Sequence, residues 1–362
     1  DVAERMANRI TSRGPDDAGV WAAKDTGLAL AHRRLSILDL SSAGHQPMTS
    51  PCGRYTLVYN GEIYNHLNLR AELEREDGAF DWRSHSDTET LLACFVSWGV
   101  EESLQSAVGM FAIALWDNRD KTLTLARDRL GEKPLYWGWY EDVLLFGSEL
   151  KALKAHPAFN AEINRDALTL LLRHCYIPAP YSIYRGIEKL MPGHLIQIPF
   201  AGGVAKAKSA VSKAYWSINV TVKNGLSKCF NGSADEAANL LEKQLKLSIS
   251  GQMLSDVPLG AFLSGGVDSS TIVALMQAQS PQPVRTFTIG FDEGGYNEAV
   301  YAKAVAQYLG TEHTELYVPP EVALAVIPRL AGIYCEPFAD SSQIPTFLVS
   351  QMAKQHVTVA LS

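Results

Sequence analysis

The sequence predicts two successive parts of different fold class, an α+β part followed by an α/β part with a parallel sheet. Residues 1–205 contain short apolar strands joined by polar turns, with helices grouped between the strands. Residues 201–235 are rich in Gly, Ala, Ser and Lys, which is typical of a boundary, and we place a linker at 206–233. From residue 234 to 362 strands alternate with helices, as in a doubly wound sheet.

The first part should form stacked antiparallel sheets flanked by helices. Strands and hairpins are expected at 28–38, 55–59, 110–127 and 135–146. Apolar residues at helical spacing predict helices at 66–76 and 87–98. The boundary region carries a strand-like island at 215–222. At the end of the hairpin predicted at 110–127, we expect Arg127 and Asp128 to form an internal ion pair.

The second part shows a regular alternation of elements. Its predicted strands are 259–263, 285–289, 313–318 and 357–361. Its predicted helices are 234–250, 269–279, 296–309, 321–333 and 342–354. Parallel strands of this kind bind ligands at their carboxyl ends, so the loops that follow them are the place to look for chemistry.

Composition limits the classes of partner. The 362 residues carry a net charge of -7, which argues against a nucleic-acid surface, because phosphate neutralisation needs an excess of Lys and Arg. Five scattered cysteines suggest neither a disulfide framework nor a zinc site and fit a reducing cytoplasm. No apolar run reaches the ~18 residues that a membrane span needs. Both ends are abrupt, so we expect the chain to be truncated at each; a homodimer is left open.

The most specific chemical signal follows the strand at 259–263. It is the string Leu263-Ser264-Gly265-Gly266-Val267-Asp268-Ser269-Ser270, placed between that strand and a helix. The glycines allow a tight turn that directs N–H groups into a cavity, and the serine hydroxyls lie where the helix dipole favours anions. Asp268 would repel phosphate unless a cation intervenes, so it indicates Mg²⁺ bridged to phosphate oxygens. The alternative is a glycine turn before a helix that Asp268 merely caps.

This string is not a Walker-type loop and resembles the pyrophosphate loop (PP-loop) of ATP pyrophosphatases, which cleave ATP between the α and β phosphates. The resemblance implies that Leu263, Ser264, Gly265, Gly266, Asp268, Ser269 and Ser270 bind ATP. It also implies nucleotide contacts by Leu263 and Ile289, although both must be sheet core as well.

Five further strings carry a second resemblance. They are Arg13-Gly14-Pro15-Asp16-Asp17, the run from Ala31 to Asp39, Tyr59-Asn60-Gly61-Glu62-Ile63-Tyr64-Asn65, Ser86-Asp87-Thr88-Glu89, and the run from Ala126 to Gly131. They resemble class II glutamine amidotransferase domains, whose fold is of the N-terminal-nucleophile hydrolase kind. Joined to a PP-loop part, the whole chain is similar to the glutamine-hydrolysing asparagine synthetase family. The resemblance implies an AMP-forming ligase that uses glutamine-derived ammonia to amidate a carboxylate, with aspartate as the default acceptor.

The resemblance also implies roles for individual residues. The glutamine-binding set is Arg34, Leu35, Ser36, Ile37, Leu38, Asn60, Gly61, Glu62 and Asp87. Within it, the planar guanidinium of Arg34 suits the substrate carboxylate, and Asp87 suits the ammonium. Asn60 and the N–H of Gly61 form the oxyanion hole.

Taken singly, these residues have plainer explanations. Asn60-Gly61 is a common hairpin turn, and Asp87 could only cap a helix. Arg34 could form a surface ion pair, and His32 could be a satisfied core histidine. The joint occurrence of the strings is what favours the functional interpretation.

The family attacks glutamine with an N-terminal cysteine, and no cysteine of this sequence matches that position. The strand at 357–361 looks like the one before the family's Gly-rich acidic loop, of which Ser362 is the first residue and is expected to bind ATP. Asp340 is the candidate for acceptor positioning, unless it only caps the helix at 342–354.

Two other functions remain open at this point. One is a β-lactam-synthetase-like or other adenylating relative without glutaminase activity, for which the lack of the cysteine would be natural. The other is a non-catalytic binding module, which would leave the full phosphate loop without a purpose.

Overall fold

The computed structural model describes residues 1–291 and 297–362 of the chain. These residues separate into two compact units. The first comprises Asp1–Ser227 together with Cys335–Phe338, and the second comprises Lys228–Tyr334 and Ala339–Ser362. No helix in the described part of the chain is both long and apolar enough to cross a membrane.

The first unit is built from antiparallel strands and short helices. Its strands are β1 (Asp17–Ala23), β2 (Leu28–Arg34), β3 (Met48–Thr49), β4 (Tyr55–Ile63), β5 (Gly109–Asp117), β6 (Thr122–Arg127), β7 (Tyr136–Tyr140), β8 (Val143–Gly147), β9 (Ile187–Lys189), β10 (His194–Pro199) and β11 (Lys213–Ala214). Its helices are α1 (Val2–Asn8), α2 (His66–Asp77), α3 (Asp87–Ser97), α4 (Val100–Ser106), α5 (Leu150–Leu153), α6 (Arg165–His174), α7 (Gly203–Lys208) and α8 (Ile218–Ser227). The strands form three sheets, in the orders β11-β10-β6-β5-β4-β3, β8-β7-β9 and β1-β2.

These sheets are stacked between helices. One face of the six-stranded sheet packs on α2 and α3 through residues such as Leu57 and Leu92. Its other face packs on the two smaller sheets, where Leu30 and Ala114 are buried together. The outer side of the three-stranded sheet contacts α5 and α6 through residues such as Leu145. The predicted stack of antiparallel sheets flanked by helices is therefore confirmed, because alternate residues of each strand supply the two apolar faces.

A short segment from late in the sequence belongs to the first unit. The carboxylate of Glu336, within Cys335–Phe338, accepts the N–H of Ile183 at 2.7 Å and the hydroxyl of Tyr136 at 3.3 Å. It also forms an ion pair with Lys189, whose ammonium is largely buried. The first unit is thus completed by residues that follow most of the second unit in the sequence.

The second unit has a parallel sheet in the order β14-β13-β12-β15. Its strands are β12 (Leu259–Phe262), β13 (Arg285–Gly290), β14 (Glu312–Tyr317) and β15 (Val359–Leu361). Its helices are α9 (Ala234–Gln252), α10 (Val267–Gln279), α11 (Ala299–Leu309), α12 (Pro320–Val326), α13 (Leu330–Ile333) and α14 (Gln343–Ala353). Ala261 packs with Val273 and Ala302 of α10 and α11, whereas Phe262 packs on the opposite side with Val349 of α14. The predicted parallel sheet with helices on both faces is confirmed.

Two element predictions were wrong in part. Residues 215–222 were predicted as a strand, but only Lys213–Ala214 pairs with β10, and Ile218–Ser227 is a helix. Its β-branched residues favour a strand only weakly, and their spacing also fits a helix. The helix predicted at 321–333 is interrupted by a 3₁₀ turn at Ile327–Arg329, where Pro328 lacks the N–H that an α-helix needs. The start of the helix predicted at 296–309 lies outside the described residues.

Candidate functional site

Gly61 lies inside β4 and not in a turn. It is opposite Phe111 of β5, whose N–H donates to Asp128 Oδ2 at 3.2 Å and whose carbonyl accepts the N–H of Asp128 at 2.8 Å. Both backbone groups of Phe111 therefore point away from β4, so the N–H of Gly61 points away from β5. A Cβ on Gly61 would lie 2.1 Å from the carbonyl oxygen of Met110. The hairpin-turn explanation of Asn60-Gly61 is wrong, and glycine is required by the close approach of β5.

The free edge of β4 carries a set of N–H groups beside Gly61. The N–H of Tyr59 donates to Gln46 Oε1 at 2.7 Å, and the N–H of Ile63 donates to Asp87 Oδ2 at 2.9 Å. Gly61 lies midway between them and directs its N–H to the same edge. Among the hydrogen bonds of residues 1–291 and 297–362, that N–H has no acceptor. It is therefore available to an anionic or carbonyl oxygen.

The side chain of Asn60 lines a cavity of about 570 Å³. Because successive strand residues point to opposite faces of a sheet, this cavity lies on the face of β4 opposite to the side chain of Tyr59. The cavity is lined by residues of β2 and β8 as well, and Asn60 Nδ2 donates to Ser148 Oγ at 3.5 Å at its wall. His32 of β2 also lines it. Burial, together with the nearby charge of Arg34, lowers the pKa of His32 to about 4. The imidazole is thus neutral at neutral pH.

Arg34 is buried at the end of β2 and is held by its own loop. Its Nη1 donates to the carbonyl of Ser41 at 3.0 Å, and its Nη2 donates to the carbonyls of Leu38, at 3.2 Å, and Asp39. These bonds leave the Nε–H and one Nη1–H for a ligand. A Cβ on Gly44 would lie 1.9 Å from Nη2, so only glycine leaves room for the guanidinium. Arg34 is 7% exposed and forms no ion pair in the described part of the chain, so the surface ion-pair explanation is wrong.

The loop after Arg34 contains the other residues predicted to bind the substrate head group. Asp16 holds it in place, since its Oδ2 accepts the N–H of Ser36 at 2.8 Å and its N–H donates to the carbonyl of Arg34 at 3.0 Å. Leu35 is exposed, and residues 36–38 are half-buried. The loop therefore presents polar backbone and apolar side chains next to the Arg34 guanidinium.

Asp87 is the first residue of α3 and does not cap it. The cap is Ser86, whose Oγ accepts the N–H of Thr88 at 3.1 Å, so the capping explanation of Asp87 is wrong. Asp87 is buried, and its Oδ2 accepts the hydroxyl of Tyr59 at 2.7 Å in addition to the N–H of Ile63. Burial raises the pKa of this carboxyl above its usual range, although the hydrogen bonds oppose the shift.

Glu62 is a second buried carboxyl near Asp87. It is 7% exposed, and its Oε1 has no hydrogen-bond partner among the described residues. Burial, with a smaller effect of the Asp87 charge, raises the pKa of Glu62 to about 7, and the ammonium of Lys133 opposes this. A buried carboxylate oxygen without a partner is costly, so it indicates a polar or cationic ligand at this position.

The predicted ion pair of Arg127 with Asp128 is wrong. Successive strand residues point to opposite sides, and each of these side chains instead binds the loop that follows β6. Arg127 donates to the carbonyls of Gly131, Lys133 and Leu190. The carboxylate of Asp128 accepts the N–H groups of Phe111, Leu130, Glu132 and Lys133. Both residues are structural, and they anchor the loop that places Lys133 near Glu62.

In the second unit, the predicted phosphate loop connects β12 to α10. Ser264 and Ser269 are linked across it, with their hydroxyl oxygens 2.9 Å apart and the N–H of Ser264 donating to Ser269 Oγ at 3.2 Å. Gly265 has a φ of +79°, and a Cβ there would lie 2.7 Å from the backbone N of Ala302. The loop conformation therefore requires glycine at this position.

The first turn of α10 carries the groups that suit an anion and a cation. Asp268 is exposed in this turn, and the hydroxyl of Ser270 is buried without a hydrogen-bond partner among the described residues. N–H groups at the start of a helix of 13 residues favour an anion. In the described part of the chain, no group of three or more His, Cys, Asp and Glu side chains could hold a metal by itself. A cation bound at this position would need further ligand oxygens, which an anion bound at the start of α10 could supply.

The other predicted nucleotide residues lie at the same edge of the sheet. Leu263 is buried and donates its N–H to the carbonyl of Phe287 at 2.9 Å, and Ile289 lies two residues further along β13. Ser362 directly follows β15, which pairs with β12 in parallel. The carboxyl ends of β12, β13 and β15 therefore bring Leu263, Ile289 and Ser362 to one edge.

Asp340 is exposed ahead of α14. Its Oδ1 accepts the N–H of Ser342 at 2.8 Å and the hydroxyl of Ser342 at 2.7 Å. These hydrogen bonds lower the pKa of Asp340. Asp340 thus stabilises the start of α14, and its second carboxylate oxygen is not used in these two bonds.

Comparison with known proteins matches both units. A family model described as a glutamine amidotransferase domain matches residues 1–216, and one described as asparagine synthase matches residues 240–362. The chain is 36% identical over 379 residues to a putative glutamine-hydrolyzing asparagine synthetase 2 of Methanocaldococcus jannaschii, covering 99% of this chain and 70% of that protein. The chain belongs to the glutamine-hydrolysing asparagine synthetase family. The candidate residues of the first unit lie within the first match, and those of the second unit lie within the second.

A second relative shows how much of an asparagine synthetase the chain spans. Glutamine-hydrolyzing asparagine synthetase 1 of Bacillus subtilis is 34% identical over 362 residues, which are 100% of this chain and 54% of that protein. The chain therefore spans about half the length of this relative.

Proposed function

We propose that this chain belongs to an ATP-dependent, AMP-forming ligase that amidates a carboxylate, most simply aspartate, with ammonia from glutamine. In this proposal residues 1–205 form the glutaminase part, 206–233 the linker, and 234–362 the first portion of the synthetase part. The observation that carries it is the N–H of Gly61 on the edge of β4, which has no acceptor among the described residues and lies next to the buried carboxyls of Asp87 and Glu62. Such an N–H suits an oxyanion, and such carboxyls suit an ammonium.

The substrate head group would be recognised by charges of opposite sign. Arg34 would bind the glutamine carboxylate with one of its remaining N–H donors, and the loop at 35–38 would complete the contact through its backbone. Asp87 would bind the ammonium together with Glu62 Oε1, which has no hydrogen-bond partner in the described part of the chain. During attack on the side-chain amide, the N–H of Gly61 and the amide of Asn60 would stabilise the negative oxygen.

The nucleophile would come from residues that precede Asp1 in the full-length protein. Among the described strands, β2 and β8 each pair with one neighbour only, and both line the cavity that Asn60 faces. We infer that an additional strand fills this cavity and carries a cysteine at its start. The cysteine sulfur would attack the amide carbon, ammonia would leave, and water would hydrolyse the thioester to glutamate.

ATP would bind at the carboxyl ends of β12, β13 and β15. The phosphates would lie against Ser264–Ser270, and Asp268 would hold Mg²⁺ together with phosphate oxygens. Bound there, Mg²⁺ would offset negative charge on the phosphates. An acceptor carboxylate oxygen would attack the α-phosphorus and release pyrophosphate. Ammonia would then attack the acyl-adenylate carbonyl and release AMP. Asp340 is proposed to position the acceptor or its loop.

Two findings favour this proposal over an adenylating relative without glutaminase activity. The relatives named above are called glutamine-hydrolyzing asparagine synthetases. In addition, Gly44 leaves room for the guanidinium of Arg34, the group proposed to bind the glutamine carboxylate. A cytoplasmic location is part of the proposal, because five scattered cysteines in no CxxC pair do not suggest a disulfide framework.

The decisive experiment is ATP–pyrophosphate exchange by the full-length protein with aspartate, followed by asparagine formation with glutamine or with ammonium chloride. We expect aspartate-dependent exchange and synthesis with either nitrogen source. Exchange with another carboxylate but not with aspartate would overturn the acceptor assignment. Synthesis with ammonium alone would overturn the glutaminase assignment.

A pH prediction follows from Glu62. Its pKa of about 7 means that ionised Glu62, the form that binds a cation, increases as pH rises through neutrality. We therefore expect kcat/KM for glutamine hydrolysis to rise between about pH 6 and 8, with part of this rise absent in Glu62→Gln. Steady-state glutaminase assays across pH, on both proteins, provide the measurement. Profiles of identical shape would mean that Glu62 does not contact the substrate.

A further inference from the structure

We propose that Asp39 is a positioning residue that sets the spacing between Arg34 and Asp87, the two charges that recognise the glutamine head group. This inference rests on the proposed glutaminase function. Asp39 does not face the substrate itself; it connects the loop that holds Arg34 to the segment that leads into α3. Its place in the sequence, five residues after Arg34, gives no indication of this connection.

The side chain of Asp39 is a buried acceptor shared by two segments. It is 2% exposed, and its Oδ1 accepts the N–H of Ser41 at 2.9 Å and the hydroxyl of Ser41 at 2.5 Å. Its Oδ2 accepts the N–H of His85 at 3.2 Å, and the His85 ring lies 3.6 Å away. One carboxylate thus joins residues 39–41 to His85, which precedes Asp87 by two residues.

The backbone of Asp39 connects the same loop to the guanidinium. Its carbonyl accepts an Nη2 hydrogen of Arg34, alongside the carbonyls of Leu38 and Ser41. Asp39 has a φ of +58°, a left-handed conformation that Asn and Asp tolerate better than most residues. The residue therefore fixes Arg34 with its backbone and the approach to α3 with its side chain.

The Asp87 end of this connection is the more firmly held one. Asp87 Oδ2 is bound by Ile63 and Tyr59 of β4, and Arg70 donates to the carbonyl of Ser86 at 2.9 Å. If the link from Asp39 to His85 is lost, the loop that carries the Arg34 contacts is the part that can shift. Arg34 would then move relative to Asp87, and a ligand that needs both charges at once would bind less well.

The test is Asp39→Asn in the full-length protein. Asn tolerates the positive φ and retains an oxygen for Ser41, but its amide cannot also accept the N–H of His85. We expect KM for glutamine to rise about tenfold, a factor that corresponds to ~1.4 kcal/mol, with kcat changed less than about twofold. Synthesis driven by ammonium chloride should be unchanged.

A second ligand separates positioning from general damage. Glutaramate has the carboxylate and the amide of glutamine without its ammonium, so it needs only one of the two charges. Its inhibition constant should change less than about threefold in Asp39→Asn, while that of L-glutamate, which carries both groups, should follow KM for glutamine.

The matched control is Asp117→Asn. Asp117 is also a buried acid, and its Oδ1 accepts the N–H groups of Arg119 and Asp120 at the opposite end of β5. The Asp117→Asn substitution should alter thermal stability and leave KM for glutamine unchanged. An unchanged KM in Asp39→Asn, or equal changes for glutaramate and L-glutamate, would overturn the proposal. Failure of the proposed function itself would look different, because the unaltered protein would then not hydrolyse glutamine.

Discussion

Gly61→Ala in the full-length protein is expected to reduce glutamine hydrolysis about 10²–10³-fold, the loss seen when one oxyanion donor is removed. The added Cβ would lie 2.1 Å from the carbonyl oxygen of Met110 and 2.7 Å from Cα of Phe111, which are backbone atoms that cannot rotate away. β4 must therefore move away from β5, and the N–H of Gly61 moves with it. The neighbouring N–H groups of Tyr59 and Ile63 already donate to Gln46 and Asp87 and cannot replace the Gly61 N–H. A small displacement of the Gly61 N–H therefore removes this donor from the reacting oxygen.

The measurement is glutamate release, with ammonium-driven synthesis assayed in parallel. Gly138→Ala is the matched control, since its Cβ would lie 1.9 Å from the carbonyl oxygen of Gly186, a comparable conflict in the sheet of β7 and β9. It should lower thermal stability to a similar degree while keeping most glutaminase activity. If Gly61→Ala folds and hydrolyses glutamine normally, Gly61 does not supply an oxyanion donor.

Asp268→Asn is expected to reduce ATP–pyrophosphate exchange about a thousandfold, equivalent to ~4 kcal/mol of transition-state stabilisation, because it removes the proposed Mg²⁺ ligand. The substitution preserves shape and removes only the charge. Asp268 is exposed in the first turn of α10, so no packing depends on its carboxylate. Glutamine hydrolysis should continue, because the proposed glutaminase residues all lie in the first unit.

The control for this substitution is Asp235→Asn. Asp235 is likewise exposed in the first turn of a helix, α9, and removing its charge weakens the same interaction with the helix dipole. Exchange activity should be unaffected there. Pyrophosphate release by Asp268→Asn at the normal rate would exclude a metal-binding role for this residue.

The regular alternation of the second unit made its fold predictable. Apolar runs such as 259–263 and 285–289 have the length of strands, and the intervening segments have helical spacing. The first unit was predictable where polar turns separate apolar runs, as in β5–β6 and β7–β8. Prediction failed at α8, whose Val and Thr residues favour strands on average, because this preference is weak and Ile218–Ser227 pairs with none of the strands in the described part of the chain.

Individual residues of the candidate site could be proposed from the sequence only where short strings contain them. Arg34, Gly61 and Asp87 stand out in such strings, but their surroundings depend on contacts between distant segments. Neither the link from Asp39 to His85 nor the space that Gly44 leaves for Arg34 follows from spacing along the chain. That Glu62 Oε1 has no hydrogen-bond partner within residues 1–291 and 297–362 is likewise a property of packing.

The placement of Glu336 has a consequence for the order in which the protein matures during synthesis. The first 227 residues leave the ribosome before Glu336 is made, so Lys189 is then without its carboxylate and the N–H of Ile183 without its acceptor. A largely buried ammonium without a counter-charge is unfavourable. The region around β9 therefore reaches its final packing only after about a hundred further residues have been translated, so the first unit is completed only when most of the second unit has been made.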